Sequence, residues 1–149
     1  MGRGSGEALG NTMTVTSIGL DIIEIERVRR ALARQPRLAA RLFTSDERAY
    51  CDGRADPASH YSARFAAKEA VAKAVGHHLR WQEVEIVSDR RGRPSVTFLG
   101  ESAAWAGVTR GARCLLSLTH SRDYAAAVVV MLSPPPSLPE DEPTRSVLV

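Results

Sequence analysis

From Val15 to Ile23 apolar and β-prone residues alternate with small or polar ones, a period of two that predicts a strand ending near Asp21. The period then lengthens. Ile25, Val28 and Leu32 recur at helical spacing while Glu24, Glu26, Arg27, Arg29 and Arg30 take the other face, so an amphipathic helix is expected until Pro36 interrupts it. Thr44-Ser45-Asp46-Glu47 has the spacing of a capping box, in which the threonine hydroxyl accepts an early backbone N–H and the glutamate reaches back. A short helix to about Cys51 follows from it, and Asp52 to Pro57 reads as loop. From about His60 to Val75 good helix formers run without a break, with Gly76 as a stop.

The second half reads mainly as strands. Val84 to Val87 alternates, Arg90 to Arg93 with Gly92 makes a tight turn, and Ser95 to Leu99 returns as the partner of a hairpin. A short helix is expected near Glu101 to Ala106. Two further strands, Cys114 to Thr119 and Tyr124 to Leu132, are joined across His120 to Asp123. No internal repeat is visible. Helices mixed with mostly antiparallel strands, without strict βαβ alternation, give an α+β domain in which the sheet packs with a long central helix.

Length and composition narrow this picture. The chain has 149 residues, enough for one ordinary domain, with 44% hydrophobic and 25% charged residues. Its longest apolar run, Ala125 to Leu132, is strand-sized and too short for a bilayer, and Met1 to Thr12 lacks the apolar stretch of a secretory signal. A cytoplasmic protein is expected. Cys51 and Cys114 are too few for a disulfide framework, are not spaced as metal ligands, and read as packing residues. Residues 14–133 hold 18 of the 20 basic and 13 of the 17 acidic side chains, a balance of +5. The remainder after Ser133 carries five of the eight prolines and the run Glu140-Asp141-Glu142. A folded domain at 14–133 is therefore expected between disordered segments at 1–13 and 134–149. The basic balance fits an anionic partner or serves solubility. It argues poorly for nucleic acid, because aromatic residues make up only 5% of the chain and the arginines are scattered over several elements.

A sharper signal lies in which cations are used. Eighteen of the 20 basic residues are arginine, and the only lysines, Lys68 and Lys73, fall five positions apart in the central helix. Arginine spreads its charge over a plane, whereas lysine is a compact ammonium, so a site that needs the latter resists replacement. Phe65, Glu69 and Lys73 share one helix face, with Ala67, Val71 and Ala74 set away from it. Glu69 beside Lys73 is either an ordinary surface ion pair or part of a site. Asp21, flanked by Leu20 and Ile22, is either a ligand or the cap of the helix that follows. If Asp21 and Glu69 adjoin in the fold, their hard oxygens suit Mg²⁺, which takes one or two carboxylates and completes its shell with water and substrate phosphate. His77 and His78 lack the spacing of zinc ligands. His120 opens the turn Ser121-Arg122-Asp123, where its imidazole reaches either a phosphate or local backbone groups. There is no Walker loop and no dinucleotide fingerprint.

Three segments taken in order carry a resemblance: Ile18-Gly19-Leu20-Asp21 with Glu24 and Arg27, Arg64-Phe65-Ala66-Ala67-Lys68-Glu69-Ala70-Val71-Ala72-Lys73, and Leu116-Ser117-Leu118-Thr119-His120. In sequence and spacing they closely resemble the signatures of small phosphopantetheinyl transferases of the holo-[acyl-carrier-protein] synthase type, over about Ser17 to Met131. The resemblance implies transfer of the 4′-phosphopantetheine arm of coenzyme A to a serine of an apo acyl carrier protein of fatty-acid or polyketide synthesis. It implies Mg²⁺ on Asp21 and Glu69, Glu69 as base, Lys73 at the pyrophosphate, and Lys68 and His120 assisting phosphate binding. By the same resemblance the turn Gly92-Arg93-Pro94 lies near the adenosine end and Arg27 meets the acidic carrier. It also implies a homotrimer with active sites between subunits. The other class weighed is a binding module, either a catalytically silent carrier-docking subunit or a nucleic-acid-binding domain. A silent subunit is expected to lose an acid or a lysine of the site, and none is missing.

Overall fold

The structure, a computed structural model, describes residues 12–136. The disorder expected for 1–13 and 134–149 falls outside the described residues, apart from 12–13 and 134–136. Strand β1, Thr14–Glu24, runs three residues past the predicted end at Asp21, because Glu24 still pairs with Tyr124 across the sheet. Helix α1, Ile25–Arg34, follows without a side-chain cap, and the Ile25 N–H donates to Asp123 O at 2.8 Å. Asp21 is therefore no capping residue. A five-residue helix that the hydrophobic pattern does not predict, α2, Leu38–Leu42, fills the space between Pro36 and the capping box. Both halves of that box form at the start of α3, Ser45–Asp52.

The central helix α4, Pro57–Val75, begins three residues before the expected start. Pro57 occupies its first turn, where a missing N–H costs nothing, and Gly76 closes it at φ 69°. A 3-10 turn at Trp81–Glu83 leads into β2, Val84–Ser88, and β3, Pro94–Phe98, the predicted hairpin. Then come α5, Gly100–Trp105, a second 3-10 turn at Val108–Arg110, β4, Arg113–His120, and β5, Tyr124–Ser133. The main sheet is antiparallel with order β1-β5-β4, and the hairpin forms a second, two-stranded sheet. The fold is α+β, as the residue pattern implies.

α4 lies across β1 and β5. Its Ala66, Ala67, Ala70, Val71 and Ala74 are buried with Ala127, Val129 and Met131 of β5 and with Val84 and Ile86 of β2. The helix approaches β1 so closely that only small side chains fit beneath it: a Cβ at Gly19 would sit 1.9 Å from Ala70 O, and Ser17 Oγ donates to Ala74 O at 2.6 Å. The alternation in β1 consequently has an unusual sense. Ser17, Gly19 and Asp21 face the helix, while Ile18, Leu20 and Ile22 face outward with 63–67% of their surface exposed. Exposed Leu115 and Tyr124 belong to β4 and β5 of the same sheet.

Candidate active site

The parity of β1 that seats Gly19 under α4 also turns Asp21 toward that helix, so strand and helix place an acid each at one spot. Lys73 Nζ donates to Asp21 Oδ1 at 2.8 Å and to Leu20 O at 3.0 Å. Of the two readings of Glu69 and Lys73, a simple surface pair does not describe this arrangement, since the ammonium goes to the strand carboxylate. Glu69, one turn before Lys73, is held above the usual glutamate range first by burial and then by the negative charge of Asp21, with Lys73 opposing both. Lys73 is raised in turn by its hydrogen bond to Asp21.

A carboxyl that is partly desolvated beside a second carboxylate is poised to take a proton or a cation. Among the described residues no group of three or more His, Cys, Asp or Glu side chains is placed to hold a metal. A donor set of two hard carboxylates with room for water and substrate fits Mg²⁺ and not zinc. Asp21 and Glu69 open onto a cleft of about 540 Å³ whose other walls are largely apolar, with Phe65, Leu38, Leu42 and Phe43, and with Arg27 of α1 at its lining.

Other expected site residues lie apart. Lys68 is fully buried and does not present its charge to a phosphate: it pairs with Glu47 Oε2 at 2.7 Å and donates to Leu42 O and Trp81 O, each at 2.7 Å. Three acceptors use its three protons, and burial pulls its ammonium below the ordinary lysine value against the opposing charge of Glu47. Gly92, Arg93 and Pro94 sit at the hairpin turn, where Asp89 Oδ1 accepts the N–H groups of Arg91 and Arg93, both at 2.8 Å. That turn does not line the cleft. His77 stacks on Trp105 at 4.3 Å between ring centroids. Burial pushes both cysteine thiols up to about 12, which leaves them inert as nucleophiles.

His120, at the end of β4, meets the edge of His60, with centroids 5.6 Å apart. This contact leads to a cluster that the motif reading does not single out. The guanidinium groups of Arg54 and Arg64 lie over the Tyr50 ring at 4.1 and 3.8 Å. Arg64 is only 3% exposed, and its Nε has no hydrogen-bond partner. His60 is lowered by burial first, then by His120, Arg54 and Arg64. The signal available in the sequence is the i,i+4 spacing of His60 and Arg64; the approach of Arg54 and His120 is tertiary.

Residues 17–129 match the family model of the 4′-phosphopantetheinyl transferase superfamily, and the chain belongs to that superfamily. It is 50% identical over 119 residues to the holo-[acyl-carrier-protein] synthase of Salinispora arenicola, covering 78% of this chain and 97% of the relative. To the synthase of Moorella thermoacetica it is 45% identical over 118 residues, covering 77% and 92%. The crystal structure of the Bacillus anthracis synthase in complex with CoA (3′,5′-ADP) superposes with a TM-score of 0.67 at 31% identity, over 82% of this chain and 99% of that one.

Proposed function

We infer that the chain transfers the 4′-phosphopantetheine arm of coenzyme A to a serine of an apo acyl carrier protein, leaving adenosine 3′,5′-bisphosphate. The observation that carries the mechanism is the convergence of Asp21 from β1 and Glu69 from α4 beside Lys73. Glu69 takes the proton of the carrier serine, whose oxygen then attacks the phosphorus that bears the pantetheine arm. The displaced phosphate leaves on the adenosine bisphosphate. Lys73 supplies a compact positive charge to the pyrophosphate oxygens. Asp21 and Glu69 would hold Mg²⁺, which supplies neutralisation of the charge that develops on those oxygens.

The buried, unpartnered Arg64 Nε, with Arg54 and His120 close by, supports this cluster as the place for another phosphate of coenzyme A, a task Lys68 is too buried to share. Arg93, with Gly92 and Pro94, serves the adenosine end in the same proposal. The outward-facing Ile18, Leu20 and Ile22, with Leu115 and Tyr124, support a homotrimer in which copies of the chain cover this apolar face and sites form between subunits. Among the described residues no helix is long and apolar enough to cross a membrane. Unpaired Cys51 and Cys114 support a reducing, cytoplasmic setting.

Incubation with coenzyme A, Mg²⁺ and a panel of apo carriers, followed by intact mass, tests the function. One phosphopantetheine gained per carrier supports it, and no gain on any carrier sinks it. Asp21→Asn should lower the rate less than loss of Glu69 does. It should also move the acid limb of the pH–rate profile to lower pH, because removing the neighbouring negative charge eases ionisation of Glu69. A limb that stays in place, followed by kcat/KM across the acid range, would detach the two carboxylates from one another.

Arg27 lies exposed on α1 at the lip of the cleft, where an acidic carrier is proposed to dock. Arg27→Glu should raise the carrier KM by about tenfold or more, leave that for coenzyme A nearly unchanged and flatten the salt dependence, since exposed charges are screened over about 8 Å at physiological ionic strength. Steady-state rates with each substrate varied check this. An unchanged carrier KM removes Arg27 from the docking surface.

A further inference from the structure

The weakest-founded wall of the cleft is α2. It is five residues long, has no buried residue and no side-chain cap at its start. Its Leu38 and Leu42, with Phe43 just beyond, nevertheless form the side of the cleft lined by Asp21 and Glu69. The last carbonyls of a helix have no partner within it and must find one elsewhere. Here they find side chains from two other elements. Lys68 Nζ, from α4, donates to Leu42 O at 2.7 Å. Gln82 Nε2, from the 3-10 turn, donates to Ala40 O at 2.6 Å and to Phe43 O at 2.8 Å. The two donors are themselves tied, because Lys68 also donates to Trp81 O, beside Gln82.

We propose that Lys68 and Gln82 form a clasp on the carbonyl end of α2 and thereby act as positioning residues for the carrier protein, holding the cleft wall against which it seats. The inference rests on the docking of the carrier at α1 and the cleft. It accounts for the second of the two lysines. Leu42 O, Trp81 O and Glu47 Oε2 converge on one nitrogen, a demand that an ammonium meets and a planar guanidinium does not. It also gives the exposed Gln82 a role that its solvent position alone does not disclose.

Lys68 is so deeply buried that its replacement risks the whole fold, so Gln82 carries the test. In Gln82→Ala the carbonyls of Ala40 and Phe43 are left to water. Amide exchange across residues 38–43, measured without any carrier, should accelerate about fivefold, as for loss of a hydrogen bond or two from a local structure. The carrier KM should rise by about the same factor, with kcat, the KM for coenzyme A and the melting temperature nearly unchanged. Gln82→Lys, which restores a donor able to reach both carbonyls, should return exchange and carrier KM toward the parent values. Exchange that stays slow in Gln82→Ala overturns the clasp. Faster exchange with an unaltered carrier KM overturns its role in docking, and so does a rise in both KM values accompanied by a fall in kcat. Failure of the docking reading itself shows separately, as a parental carrier KM in Arg27→Glu.

Discussion

Glu69→Gln should reduce transfer by about 10²- to 10⁴-fold, the span typical for loss of a positioned general base, while the folded chain loses no stability. The substitution keeps shape and removes charge. On the proposed mechanism it takes away the proton acceptor and one of the two carboxylates that would hold Mg²⁺, so added Mg²⁺ should not restore the rate. The stability side follows from linkage. Glu69 has a higher pKa folded than unfolded, because burial and Asp21 disfavour its ionised form. The folded state therefore binds the proton more tightly, and stability drawn from this group is present at low pH and is lost as pH rises through the unfolded and then the folded pKa. The neutral amide of the variant does not incur that loss. Melting temperatures at pH 7 should thus be equal or higher in the variant. Single-turnover transfer and thermal unfolding on the same preparation check both halves. Parental turnover at saturating Mg²⁺ would remove Glu69 from the mechanism.

Gly19→Ala should be the most damaging alanine substitution among the described glycines. The added carbon would stand 1.9 Å from Ala70 O and 2.9 Å from both Ala70 C and Ala74 N, all of them helix backbone that cannot swing aside as a side chain can. α4 must lift off β1, which costs about 3 kcal/mol or more, at or beyond the upper end of ordinary overpacking. Lifting the helix also parts Glu69 from Asp21, so activity should fall even where the variant remains folded. Urea midpoints and rates well below the midpoint separate the two effects. Gly76→Ala is the natural contrast: nothing lies within 4 Å of its added carbon, and only the left-handed backbone at φ 69° resists it, a local cost of about 1 kcal/mol. Equal stability of Gly19→Ala and the parent would mean that the helix does not rest on this glycine.

How far the sequence discloses such features depends on how local they are. The capping box at Thr44 and Glu47 involves four consecutive residues and forms as its spacing predicts, and the hairpin and the last two strands fall within a residue or two of their expected limits. Helix α2 is too short to show a period and buries nothing, so no hydrophobic pattern marks it. In β1 the alternation is legible but its direction is not. The apolar residues point away from the helix because α4 comes too near for them, a fact set by the small residues Ser17, Gly19 and Ala70 together and not by the strand alone. The two lysines are conspicuous by type, yet their tasks differ: Lys73 reaches the strand carboxylate, and Lys68 turns inward to Glu47. The Arg54, Arg64 and His120 cluster draws on three elements: Arg64 and His120 stand in segments the sequence singles out, but nothing in the sequence brings Arg54 to them.

β1 gives successive side chains opposite duties. Gly19 and Asp21 serve the helix-facing side and the proposed site, and Ile18, Leu20 and Ile22 the face turned outward. Because strand side chains alternate strictly, slipping the strand by one residue would push Leu20 under α4 and turn Asp21 out to the apolar face. Helix-facing and outward surfaces are thus two readings of a single parity. Between Ser17 and Ile23 the chain can exchange side chains, but it cannot gain or lose one residue without exchanging the two surfaces wholesale.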